Sequence, residues 1–262
     1  MSLLSYLADR LILMPSTQSI DPDGKRQIEV KTSAGHVEIW EANFPEDADS
    51  NSKPLKILKF PGTAGRAERS GVHPAEVLTG FRSKIWTVNP HGYGGSSGPA
   101  TTKTFPDMCE SVYKRLINES GESTPILVIG NSLGCLSALY LASRFPISGL
   151  MLRNPPPIHQ LISTRPRYAG WNFGMSKWIA NEVPSVLDAV ANSASATAPC
   201  LFVQSEKDRI VPTKYQDLII DAYAGTKQVF VIPGAGHHEF VQEAEQGEYL
   251  ESLRWFESIF SV

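Results

Sequence analysis

The sequence predicts an α/β protein built on one mostly parallel sheet, and three observations carry that prediction. Short apolar runs of strand length alternate with segments of helical spacing along most of the chain. Strands and helices in strict alternation imply a parallel sheet covered on both faces. The length, 262 residues with 42% hydrophobic and 19% charged, suits one domain with a large core.

Ile28–Thr32 and Val37–Asn43 read as strands joined by the turn Ser33-Ala34-Gly35-His36, an antiparallel hairpin at the N-terminal edge. Phe44–Pro54 carries acids, Pro and Asn and reads as a surface loop. Leu55–Phe60 is a buried strand stopped by Pro61-Gly62. Arg66–Phe81 is expected to be a helix, interrupted by Gly71 and Pro74. Lys84–Asn89 is the next strand, and a Gly-rich loop, Pro90–Gly98, follows it. In Phe105–Asn118 the residues Phe105, Met108, Val112 and Leu116 share one helical face. Strand Pro125–Ile129 leads into helix Cys135–Phe145, and Ile147–Leu152 is again a strand.

Alternation breaks down between Pro155 and about Ala196, a helical insertion rich in aromatic residues. It resumes with strand Cys200–Gln204, helix Thr213–Ala224, strand Gln228–Ile232 and a last helix from Glu239 to Phe260. Residues 1–262 therefore read as a single domain with a cap-like insertion at about 155–196.

Composition excludes several classes of function. Net charge is −3, the pI is about 6.1, and the basic residues are scattered among acids, so no nucleic-acid partner is expected. The three cysteines, Cys109, Cys135 and Cys200, have apolar neighbours and form no CxxC, which predicts buried thiols in a reducing, cytoplasmic setting. Leu3–Leu13 is apolar, but Asp9 and Arg10 interrupt it and it lacks a basic start, so it makes a poor signal peptide. No stretch reaches the length of a membrane span. Neither His nor acidic residues show metal-ligand spacing, and no cofactor is expected.

The chemistry is read first at Gly130-Asn131-Ser132-Leu133-Gly134, a G-x-S-x-G match between an apolar strand and an apolar helix. A serine on a sharp strand-to-helix turn lifts its hydroxyl clear of the sheet, and only small residues fit two positions either side. The helix that follows points its N-terminus at developing negative charge.

From Ile28 onward the chain resembles the α/β-hydrolase superfamily, in which nucleophile, acid and histidine occur in that order. The resemblance implies Ser132 as nucleophile. Ser205–Pro212 resembles the family's acid loop, with Asp208 before Ile210-Val211-Pro212; Glu206 lies too early in the loop. Pro233-Gly234-Ala235-Gly236-His237-His238 resembles the catalytic-histidine loop, and His237 rather than His238 matches the family position. An imidazole, with a reference pKa of about 6.5, can pass a proton both ways near neutrality.

The backbone N–H of Leu133 is one expected oxyanion donor. The other falls to Thr63, in the loop Phe60–Gly65, which resembles the family's His-Gly-x turn with Pro61 in place of the usual His. His91-Gly92-Tyr93-Gly94-Gly95 looks like an oxyanion motif but follows the wrong strand, so His91 reads as structural, as do His36, His73 and His159. Trp171, Phe173 and Trp178 could line a pocket for an acyl group or pack against the core. Arg153, Arg165 and Arg167 could pair with an acidic substrate or stay solvated.

The reading that follows is a serine hydrolase acting on a small-molecule carboxylic ester or thioester through an acyl-enzyme. An amidase, a peptidase or a C–C bond hydrolase would use the same three residues, and a non-catalytic binding protein is the alternative from another class. Ser132 in the elbow disfavours the family members that use an Asp nucleophile.

Overall fold

In the computed structural model, residues 3–46, 52–121, 123–164 and 173–260 are described. The strands are β1 (Arg26–Thr32), β2 (Gly35–Phe44), β3 (Lys53–Phe60), β4 (Phe81–Asn89), β5 (Ile126–Asn131), β6 (Gly149–Arg153), β7 (Cys200–Ser205) and β8 (Lys227–Ile232). They form one eight-stranded sheet in the order β1-β2-β4-β3-β5-β6-β7-β8. β2 pairs antiparallel with both β1 and β4, and every pairing from β4 to β8 is parallel. The chain has the α/β-hydrolase fold anticipated from its sequence.

Burial explains why the central strands read as apolar runs. Every residue of β7 is buried, and β3 is buried from Leu55 to Leu58. Two hydrophobic layers flank the sheet. One contains Leu58, Phe60, Val128, Leu150 and Phe202 under the helices α2 (Phe105–Ser120), α3 (Gly134–Ala142) and α7 (Thr213–Ala222). The other contains Ile57, Leu127, Met151, Leu201 and Phe230 under α8 (Gln246–Phe260). Phe105, Met108, Val112 and Leu116 of α2 all face the first layer, as their spacing implies.

Two helices differ from expectation. Arg66–Phe81 is not a helix: it contains one 3-10 turn, Ala67–Arg69, and continues as turns to β4. Pro74 cannot donate within a helix, and Lys59 takes the carbonyls of Gly71 and His73 through Nζ at 2.7 and 3.0 Å. Those oxygens are thereby withdrawn from helical pairing. Ala75 and Leu78 still reach the second apolar layer. The last helix starts at Gln246 rather than Glu239. There the Arg153 guanidinium donates to the carbonyl of Glu239, an oxygen that a helix would use internally.

Leu3–Leu13 forms a helix, α1, with Ala8 and Leu13 buried. Its Asp9 is buried too and accepts the N–H of Thr102 at 3.1 Å. Among the described residues no helix is long and apolar enough to cross a membrane. α4 (Ile158–Thr164), α5 (Phe173–Glu182) and α6 (Ala189–Ser193) lie in the segment read as a cap.

All three cysteines are free and fully buried, and burial pushes the Cys109 thiol up to about 12 and holds those of Cys135 and Cys200 well above the usual thiol range. A thiol reacts as its thiolate. The folded protein should therefore bind no thiol-specific chromogenic reagent at neutral pH, and should bind it at all three positions once unfolded in guanidinium. Prompt labelling of the native protein would place a cysteine at the surface.

Candidate active site

The site is built at the carboxyl ends of the central strands, where β5 gives way to α3. Ser132 sits between them in the left-handed region, at φ 50°. Such a conformation costs a non-glycine residue about 1–3 kcal/mol and persists only where the surroundings impose it. Here the Ser132 N–H donates to the Arg153 carbonyl at 2.8 Å, and the Ser132 carbonyl accepts from Cys135 N–H at 2.9 Å. Both flanking glycines are sterically required. A Cβ at Gly130 would lie 2.6 Å from the Cys135 Cα, and one at Gly134 would lie 2.0 Å from the Phe60 carbonyl oxygen.

Asp208, in the loop after β7, is buried, and its carboxylate is held from several sides. Oδ1 accepts the N–H groups of Ile210 and Val211, each at 2.8 Å. Oδ2 lies 2.6 Å from His237 Nδ1 and 3.4 Å from Gln216 Nε2. His237 Nε2 lies 2.9 Å from Ser132 Oγ. The structure thus brings Ser132, His237 and Asp208 into one hydrogen-bonded line. His238 is exposed, and its ring stands edge-on to His237 with centroids 4.9 Å apart. Glu206, the rival acid, turns away and accepts the N–H of Gly234 at 2.6 Å, so it braces the histidine loop from outside.

The loop Phe60–Gly65 passes directly over the serine. A Cβ on Gly62 would fall 3.1 Å from Ser132 Cβ, a tight contact that glycine avoids where the loop comes so close. Leu133 lies at the head of α3 and Thr63 beside Gly62, and neither backbone N–H has a backbone acceptor among the described residues. Both amides remain available to a ligand.

Sequence reasoning missed what supports these parts. The C-terminal end of α1 braces the loop over Ser132: Thr63 Oγ1 donates to Ile12 O at 3.0 Å and Ala64 N–H to Leu13 O at 3.0 Å. Arg66 then ties the chain after α1 through Ser16 O and Gln18 O, at 2.9 and 2.8 Å. Asn154, fully buried at φ 48°, spans three strand ends. Its Oδ1 accepts from Ser205 N–H at 2.8 Å, and its Nδ2 donates to Ser205 Oγ and His237 O, each at 3.1 Å. It links the acid strand to the histidine loop. A polar residue at a strand end, directly before Pro155-Pro156-Pro157, was the available signal.

His91 is structural, as expected: it is buried, with Nδ1 2.6 Å from Ser97 O and Nε2 3.1 Å from Thr32 Oγ1. His159 lies 3.1 Å from Val183 O. Among the described residues no group of His, Cys, Asp and Glu could hold a metal ion.

A cavity of about 1220 Å³ opens beside Ser132 and His237, larger than the 300–1,000 Å³ usual for small-molecule sites. From the cap segment its wall takes Ile158, Leu161, Ile162 and Ile179. Trp178 is half-buried and does not line it, which favours the packing alternative for that residue; aliphatic side chains form this part of the wall. Trp171, Arg165 and Arg167, and the side chain of Phe173, lie outside the described residues.

Comparisons with known proteins agree with this architecture. A family model for the α/β hydrolase fold matches residues 76–178. An uncharacterized Mycobacterium tuberculosis protein is 26% identical, covering 86% of this chain and 76% of that one. A Vibrio vulnificus α/β hydrolase superposes with a TM-score of 0.72 at 18% identity, covering 98% of this chain and 94% of that one. A Pyrococcus furiosus esterase superposes with a TM-score of 0.65 at 17% identity, covering 92% and 96%.

Proposed function

We propose that this member of the α/β-hydrolase superfamily is a serine hydrolase that cleaves a carboxylic ester or thioester through an acyl-enzyme. One observation carries the reading: the unbroken line from Asp208 through His237 to Ser132, with contacts of 2.6 and 2.9 Å. A carboxylate can only accept, so the proton between Asp208 and His237 belongs to Nδ1. That leaves the lone pair of Nε2 toward the Ser132 hydroxyl, which donates to it. His237 takes the Ser132 proton as Oγ attacks the acyl carbonyl, then gives it to the departing alcohol or thiol. Water repeats the cycle and frees the acid.

Negative charge develops on the carbonyl oxygen in each half-reaction. The unengaged N–H groups of Leu133 and Thr63, with the head of α3 behind Leu133, are the donors proposed to receive it.

The test is labelling by a fluorophosphonate, followed by a panel of acyl nitrophenyl esters and acyl-CoAs. Stoichiometric modification of Ser132 with turnover of at least one panel member is expected. A protein that stays unmodified and inert would be a binding protein on this fold. Asp208→Asn should lower kcat by about 10⁴-fold with the fold intact, since an amide can hold the wrong tautomer of His237. Near-normal turnover in folded Asp208→Asn protein would remove Asp208 from the mechanism.

A further inference from the structure

The cavity beside Ser132 carries a charge that the hydrolase reading does not use. Its described lining includes Lys59, Arg66, Arg69 and Arg153, and three histidines, yet no Asp or Glu. The protein as a whole has a net charge of −3, so this concentration of cations is local. Arg66 is accounted for: it is buried and pairs with Glu68 through two nitrogens. Arg69 is exposed at the rim. Arg153 and Lys59 are different.

Arg153 leaves the end of β6 and donates to the Glu239 carbonyl. Its Nε is buried with no hydrogen-bond partner, and no carboxylate lies within ion-pair distance among the described residues. The ring of Phe240 stacks over the guanidinium, 5.1 Å from its carbon. Burial holds Arg153 below its ordinary pKa, with Tyr249 and Asp208 opposing the shift. Lys59 spends two of its ammonium protons on the carbonyls of Gly71 and His73, and burial pushes it down to about 8 despite Glu76 nearby. Arg153 is half-buried with its Nε enclosed and unpartnered, and a ligand anion would supply the acceptor that this N–H lacks.

Register places both cations on one face. Lys59 pairs with Ile129 and Ile129 with Met151, and Arg153 stands two residues beyond Met151. Side chains alternate along a strand, so Lys59 and Arg153 project to the same side with β5 between them, about 10 Å apart laterally. Long side chains can meet over that distance. The floor beneath them is apolar, formed by Ile129, Met151 and Val203. The cavity lies on this face, with Gly71, His73 and Pro74 of the segment between β3 and β4 in its wall.

We infer that this part of the cavity is an anion subsite, in which Arg153 and Lys59 bind a carboxylate or phosphate borne by the substrate at some distance from the scissile carbonyl. The inference rests on the hydrolase reading only for the word substrate. Arg153 supplies a planar fork suited to two oxygens, and Lys59 a second point of charge.

Binding to the full-length Ser132→Ala protein tests the subsite without turnover. The probes are monomethyl esters of succinic, adipic, suberic and sebacic acids, their dimethyl counterparts, and one phosphorylated hydroxyacid methyl ester, followed by calorimetry. At least one anionic probe should bind tighter than its neutral counterpart by roughly 10-fold or more, the scale of a charged hydrogen bond. Whether carboxylate or phosphate gains more identifies the group. Arg153→Met should erase that preference, and Lys59→Met should reduce it while leaving the Glu239 contact of Arg153 in place.

Because Arg153 also holds the histidine loop, Lys59→Met and Arg153→Lys keep the test decisive if Arg153→Met fails to fold. In the wild-type protein the ratio of kcat/KM on anionic and neutral nitrophenyl esters should follow the same order. Equal affinity for anionic and neutral probes, or a preference untouched by Lys59 and Arg153 substitution, overturns the subsite even if neutral esters are hydrolysed. Anion binding that depends on Arg153 in a protein inert to every ester would uphold the subsite and overturn the hydrolase reading instead.

Discussion

Ser132→Ala is expected to lose ester hydrolysis by about 10⁶-fold in kcat, the scale seen when a triad nucleophile is removed. The proposed chemistry requires an oxygen at this position, since the 2.9 Å contact from Ser132 Oγ to His237 Nε2 is the route by which its proton leaves. Alanine keeps the backbone that the turn demands: the N–H bond to the Arg153 carbonyl and the acceptor for Cys135 N–H are both main-chain. Melting temperature should therefore change by no more than a few degrees, on the scale of about 1 kcal/mol. Fluorophosphonate labelling should vanish together with activity. A folded Ser132→Ala protein that still hydrolyses esters at the wild-type rate would reject Ser132 as nucleophile and leave the G-x-S-x-G turn as architecture.

How far the sequence spoke depended on how local the determinants were. All eight strands were legible: the central ones, buried on both faces, read as mainly apolar runs such as Cys200–Val203 of β7, and β1 reads through alternation of buried and exposed residues. The turn at Ser132 was legible for a steric reason confined to five residues, and the clashes at Gly130 and Gly134 bear that reason out. Ser132, Asp208 and His237 were each picked out as candidates from short segments, and the structure brings them within hydrogen-bond distance of one another in a line. What could not be read depends on partners far away in the chain. The segment 66–81 has helical composition apart from Gly71 and Pro74, but Lys59 competes for its carbonyls. Nothing in Leu3–Leu13 announces that its last carbonyls will hold the loop over Ser132. Asn154 acts only through Ser205 and His237, which lie 51 and 83 positions further on.

The two adjacent histidines give the sharpest remaining contrast. His237→Ala should reduce kcat to the level of Ser132→Ala, because nucleophile and base act as a unit and removing either removes the same proton transfer. His238→Ala should leave kcat within a few-fold of wild type. The geometry behind this difference is specific. His237 has both ring nitrogens engaged, at 2.6 Å to Asp208 and 2.9 Å to Ser132, and its side chain is 7% exposed. Its backbone carbonyl is fixed by Asn154, so the ring enters the site from an anchored turn. His238 is exposed and touches His237 only edge-on. Fluorophosphonate labelling refines the comparison, since attack by Ser132 on the probe also needs a base: His237→Ala should slow labelling strongly, and His238→Ala should leave its rate near wild type. The cavity lining includes both side chains, so His238→Ala can still shift KM for bulky esters through a contact at the rim. Loss of kcat in His238→Ala with activity retained in His237→Ala would reverse the assignment and displace the base by one residue.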